Sequence, residues 1–101
     1  WVTYYGNGKL AQIDPTAMKI VKEYPLPHGD EGPYAVNADG AGIVWANEIN
    51  TQTVVRFDPK TEQMRVIKLP GRNTGIRKMA VDAQGRLWYM GSHNGRLGMI
   101  E

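Results

Sequence analysis

An all-β fold of tandem four-stranded antiparallel sheets, the blades of a β-propeller, is predicted by three observations. Trp1, Trp45 and Trp88 recur at spacings of 44 and 43 residues. Each is followed thirteen residues later by an acid that itself follows a large apolar residue: Ile13-Asp14, Phe57-Asp58 and Ile100-Glu101. Between these anchors run short alternating apolar stretches broken by turn residues, and no segment sustains a helical period. Four strands in about 40–45 residues, repeated in tandem, is the signature of a propeller blade.

The elements follow in order. Ile-Asp-Pro-Thr at 13–16 returns as Phe-Asp-Pro-Lys-Thr at 57–61, and Tyr-Pro-Leu-Pro at 24–27 as Ile-Lys-Leu-Pro at 67–70. Ala-Val-Asn-Ala-Asp-Gly at 35–40 matches Ala-Val-Asp-Ala-Gln-Gly at 80–85, an offset of 45. The middle repeat reads most clearly, with strands expected near 43–48, 53–58 and 63–69 and the next repeat opening near 76–82. Asp58-Pro59 opens a type I turn, in which Pro presets φ and Asp accepts bonds from the amides beyond it. Gly40 and Gly85 are expected where φ turns positive. The strand containing Ala80-Val81 is expected innermost, with the tryptophans filling the wedge between neighbouring sheets.

Labelled a to d from the axis outward, the strands give three units. Residues 1–27 carry b-c-d, 33–70 a complete blade, and 76–101 a-b-c, about two and a third blades of a larger ring. A blade needs both faces covered by neighbours. The chain is therefore expected to associate with copies of itself or with the remainder of a parent propeller. It opens at Trp1 without an initiator Met, so the native start is expected upstream, and a periplasmic, secreted or cytoplasmic location all stay open.

Composition narrows the function classes. Hydrophobic residues make up 42% and charged residues 22%, a globular balance. The net charge of +2 is small and the cations are scattered, which argues against nucleic acid or an anionic membrane as partner. No apolar run approaches the ~20 residues of a membrane span. With no cysteine, disulfides and thiolate-held zinc are excluded.

In this strand order the d-to-a and b-to-c loops share one rim, and that rim collects the reactive side chains. The d-to-a loops hold His28, Asp30, Glu31, Arg72 and Asn73, and the b-to-c connections hold Tyr4, Tyr5, Glu48, Asn50, His93 and Asn94. His93 is the best candidate base, since imidazole titrates near neutral pH. Glu48, closing its strand at the rim, suits a hard cation such as Mg²⁺ through oxygen. His28, Tyr4, Asn50, Arg72 and Asn73 are candidates to bind a small-molecule substrate, and Arg72 and Arg77 could hold an anionic group. No Gly-rich phosphate loop, nucleophile elbow or paired-His zinc motif is present.

Four stretches, Gly-Lys-Leu-x-x-Ile-Asp-Pro-Thr (8–16), Tyr-Pro-Leu-Pro (24–27), Gly-Pro-Tyr-x-Val-x-x-Asp-Gly (32–40) and Arg-Leu-Trp-Tyr (86–89), stand out beyond the repeat itself. They resemble repeats of the virginiamycin B lyase (streptogramin lyase) family. The resemblance implies a seven-bladed propeller that opens the cyclic ester of type B streptogramins by Mg²⁺-dependent elimination. It also implies a Glu-x-His pair after the Trp of one blade. Here Glu48 stands three residues after Trp45 with Asn50 in the His place, while His93 stands five after Trp88 with Gly91 in the Glu place. Mg²⁺ is accordingly expected of a full-length parent and not of this stretch. Two alternatives stay open: a non-enzymatic ligand- or protein-binding propeller, and a gluconolactonase-like metal-dependent hydrolase, whose repeats resemble the Ala-Val-Asp-x-x-Gly-x-Leu-Trp of 80–88.

Overall fold

The computed structural model describes residues 1–27, 32–70 and 74–101. They form ten strands and no helix: β1 (Val2–Tyr4), β2 (Lys9–Asp14), β3 (Lys19–Pro25), β4 (Pro33–Ala38), β5 (Val44–Glu48), β6 (Thr53–Asp58), β7 (Gln63–Lys68), β8 (Ile76–Val81), β9 (Leu87–Gly91) and β10 (Arg96–Ile100). Hydrogen bonding groups them into three antiparallel meanders, β1-β2-β3, β4-β5-β6-β7 and β8-β9-β10. The innermost strands β4 and β8 lie side by side, and β1 lies against β4. The strand carrying Ala80-Val81 is thus innermost in its sheet, as the sequence predicts.

Alternation along each strand assigns its residues to one of two faces. From the middle sheet, Trp45, Val54 and Ala35 point toward the third sheet and pack with Ile76, Leu87 and Tyr89. The opposite face carries Val44, Ala46, Val55 and Phe57, which pack on Leu10, Trp1 and Tyr24 of the first sheet. Trp1 and Trp45 therefore fill the two wedges between sheets. Trp88 points the same way from the third sheet, onto the open face it shares with Ala80, Met90 and Leu97. Because the middle sheet is covered twice, β5 is buried along its whole length.

The turns show why the repeat words recur. In the β2–β3 and β6–β7 turns the Asp carboxylate accepts amide bonds as predicted: Thr16 and Ala17 donate to Asp14, and Lys60 donates to Asp58 at 3.0 Å. The β4–β5 and β8–β9 turns are each organised by one carboxylate. Asp39 Oδ1 accepts from the amides of Ala41 and Ile43, and Asp82 Oδ1 from those of Gln84 and Arg86. The second oxygen of each takes the indole N–H of the repeat tryptophan, Trp45 at 3.4 Å and Trp88 at 2.9 Å. These bonds, led by that from Trp88, hold the Asp82 carboxyl well below the usual carboxylate range.

This geometry corrects one expectation. Asp39 is equivalent to Asp82 and the positive-φ glycines are Gly42 (φ 85°) and Gly85 (φ 78°), so the register here is 43 and Gly40 is not the left-handed residue. The words at 35–40 and 80–85 match by letter at 45 but sit two residues out of structural register.

Candidate functional site

Hairpins β1–β2, β5–β6 and β9–β10 turn back at the same rim. The second and third of these are docked by backbone bonds on the segment that leads into the innermost strand of their own sheet. The Ile49 amide donates to Gly32 O at 2.9 Å, the Ser92 amide to Gly75 O at 3.3 Å, and the His93 amide to Thr74 O at 3.1 Å. Gly32 (φ 75°) and Gly75 (φ 59°) both occupy the left-handed region, and both are pressed from above. A Cβ on Gly75 would lie 2.2 Å from His93 Nδ1, and one on Gly32 would lie 3.0 Å from Asn50 Nδ2 and from Tyr5 Cε2. Only glycine serves both demands, the backbone angle and the close approach.

His93 and Asn50 are thus equivalent residues, each seated on a glycine backbone. The Nδ1 edge of His93 faces Gly75, which leaves Nε2 on the far edge of the ring. Tyr5 adds an aromatic wall from the first sheet and meets Tyr34 edge to face, ring centres 6.2 Å apart at 90°.

These side chains converge on a cleft of about 350 Å³, to which all three sheets contribute. Tyr5, Asn50 and His93 come from the hairpin tips, and Tyr34 and Arg77 from the second positions of the inner strands. Gln52 completes the cleft, and the sequence reasoning missed it. Gln52 has φ 58° where the equivalent residues are glycines, Gly8 (φ 63°) and Gly95 (φ 68°). Its side-chain oxygen accepts from the Thr74 amide at 3.1 Å and the Thr74 hydroxyl at 2.9 Å. That latch from one sheet to the next explains a side chain in a glycine's conformation. The signal was available: a Gln replaces Gly at one repeat position.

Among the described residues the lining is rich in N–H and O–H donors with two aromatic faces, and it includes no carboxylate. Such a surface suits a ligand with several carbonyl or anionic oxygens and a ring to lie against Tyr5 or Tyr34.

The remaining sequence candidates fall elsewhere. Glu48 ends β5 but is fully buried beneath the rim, where its Oε1 accepts from Thr53 Oγ1 at 2.9 Å. It does not line the cleft with His93. Tyr4 is half-buried, and its carbonyl accepts from Asn7 and Gly8 to close the β1–β2 turn. Asn94 folds back over Gly91: a Cβ there would lie 2.1 Å from Asn94 Oδ1. The place where the family resemblance calls for a Glu beside His93 is therefore filled by the Asn94 amide. His28, Asp30, Glu31, Arg72 and Asn73 lie outside the described residues. Among the described residues no three His, Asp or Glu side chains stand close enough together to hold a metal ion.

No protein-family model and no curated protein matches the chain. Solved structures do. A catalytically inactive variant of virginiamycin B lyase from Staphylococcus aureus, crystallised with quinupristin, superposes with a TM-score of 0.74 at 22% identity over 93% of this chain. The selenomethionine form of the enzyme from the same organism gives 0.72 at 20% identity, and a streptogramin B lyase structure gives 0.75 at 20% identity over 91% of this chain. The chain spans about a third of the length of each, 34% of the first. Sheet by sheet, then, this chain has the fold of part of a virginiamycin B lyase.

Proposed function

We propose that this chain forms part of the substrate-binding rim of a streptogramin lyase-like propeller, and that its cleft receives a carbonyl-rich, ring-bearing small molecule of the type B streptogramin kind. The observation that carries the reading is the convergence of Tyr5, Asn50 and His93, one hairpin tip from each sheet, on a donor-lined cleft. Asn50, Gln52 and Arg77 would orient ester and amide oxygens, and the tyrosines would hold an aromatic side chain by stacking.

His93 Nε2 would act as the base. It would take the proton from the carbon next to the one that bears the ester oxygen. The electrons of that C–H bond become a C=C double bond, the C–O bond breaks, and the ester leaves as a carboxylate. Arg77 would stabilise the negative charge that develops on oxygen. The resemblance also implies Mg²⁺, which is expected of the full-length parent, with ligands contributed from outside the described residues.

A non-catalytic binding propeller is favoured by one specific observation, the Asn94 amide filling the place of an acid beside His93. The test is ring opening of a type B streptogramin by the whole protein, followed by mass spectrometry with and without Mg²⁺. His93→Ala is expected to lower kcat by about 10²-fold or more. Gly75→Ala should do nearly as much by displacing the ring without touching its chemistry. Saturable binding with no linear product supports the binding reading, and neither binding nor turnover overturns both.

A further inference from the structure

A second polar cluster lies away from the rim, between the middle and third sheets. Trp45 stands opposite Arg56 across β5 and β6, and Arg56 stands opposite Arg65 across β6 and β7. Directly opposed residues share a face, so the three side chains form one row on the face turned toward the third sheet. The Arg56 guanidinium lies over the Trp45 ring, 5.8 Å from its centre. Ile67, Ile100 and the acids Asp39 and Glu101 complete a groove of about 560 Å³.

Two like charges directly opposed across strands repel each other. Among the described residues neither arginine has a carboxylate within ion-pair distance. Asp39 is already engaged by two backbone amides and the Trp45 indole. Glu101 is exposed beyond β10. The row is also no demand of the repeat, because the residue opposite Trp88 in the third sheet is Met99. Arg56 packs on the Trp45 indole, but nothing in the scaffold calls for a second arginine opposite it, and the pair puts two planar N–H donor groups on adjacent strands of one groove. That is the donor set that recognises a tetrahedral oxyanion.

We propose that the Arg56–Arg65 row binds a phosphate or sulfate group in this outer groove, independently of the rim cleft. Thermal unfolding of the protein in inorganic phosphate, against chloride at equal ionic strength, tests it. A saturable rise of about 5 °C is expected in phosphate alone. The double variant R56Q/R65Q should lose the rise, while R65Q in chloride should be at least as stable as the parent, since a repulsion is removed. A rise matched by chloride, a rise retained in the double variant, or a marked loss of stability of R65Q in chloride would each overturn the proposal. Tighter binding of a phosphomonoester such as a sugar phosphate would identify a phosphorylated ligand, and equal affinity would identify the free ion.

Discussion

Between the first and middle sheets, Trp1 meets Phe57 edge to face at 5.9 Å and Phe57 lies 4.6 Å from Tyr24, with aliphatic side chains filling the rest. Among the described residues the side-chain polar contacts across that junction lie at exposed positions: Thr3 Oγ1 donates to Tyr34 O, and Lys22 Nζ pairs with Glu62 Oε2. Between the middle and third sheets the packing is mostly aliphatic, and three side-chain amides cross it. Asn47 Nδ2 donates to Ile76 O at 2.9 Å, Asn37 Nδ2 donates to Met79 O at 2.8 Å, and Gln52 accepts twice from Thr74. Thr3 and Asn47 are equivalent residues, two after their tryptophans, so the same repeat position bridges to the next inner strand by a hydroxyl in one case and an amide in the other. The first junction relies mainly on apolar area, which has no direction, because its polar contacts are exposed to water. The second adds directional bonds that fix how one sheet slides along the next.

The largest expected effect lies in the aromatic junction. Phe57→Ala removes the ring that joins Trp1 and Tyr24 and should destabilise the protein by about 4 kcal/mol in urea unfolding. Asn47→Leu tests the other junction at nearly constant volume. Asn47 Oδ1 accepts from the buried Ala35 amide at 2.7 Å while its Nδ2 serves Ile76 O, so the change strands a donor and an acceptor together. A loss of about 3 kcal/mol is expected. If Asn47→Leu proves neutral, the buried bonds of the second junction add nothing to its apolar area and the contrast fails.

Gln52 sharpens the contrast further. Gln52→Ala and Gln52→Gly both lose the Thr74 bonds, but glycine relieves the positive φ. The glycine variant should be the more stable of the two by about 1 kcal/mol. Equal stabilities would mean that the turn adjusts at no cost.

The smallest expected effect concerns acid. The folded Asp82 carboxyl holds its proton more weakly than it does in the unfolded chain. Its contribution is therefore complete above about pH 4, the ordinary carboxylate range, and declines as pH falls below it. Asp82→Asn should flatten the acid limb of the stability profile, read as melting temperature against pH. An unchanged limb would show that the β8–β9 turn is not acid-sensitive.

The tryptophan spacing and the Asp turns made the fold legible because both are scaffold demands repeated at each turn of the design: an indole to fill a wedge, a carboxylate to collect amides. The inner-strand register was misjudged because Ala-Val-x-Ala-x-Gly is a low-information word, and only the Asp-to-indole bond distinguishes 43 from 45. Grouping Tyr5, Asn50 and His93 on one rim followed from strand order alone, and the cleft brings those three together. Glu48 was less legible. Its place at the end of a strand suggested the surface, but the middle sheet is covered on both faces and β5 is buried to its last residue. Tyr34 and Arg77 reach the cleft through the stagger between inner strands, which no single-repeat pattern encodes.

His93 and Asn50 each lie over the bare backbone of a glycine, at the tip of a hairpin and not in the packed interior. What the tip of such a hairpin offers to a ligand can therefore be exchanged by one codon while the hydrophobic interior stays as it is. Repeated from sheet to sheet, that arrangement lets each unit present its own reactive group at the same place, an imidazole in one and an amide in the next, over the same backbone seat.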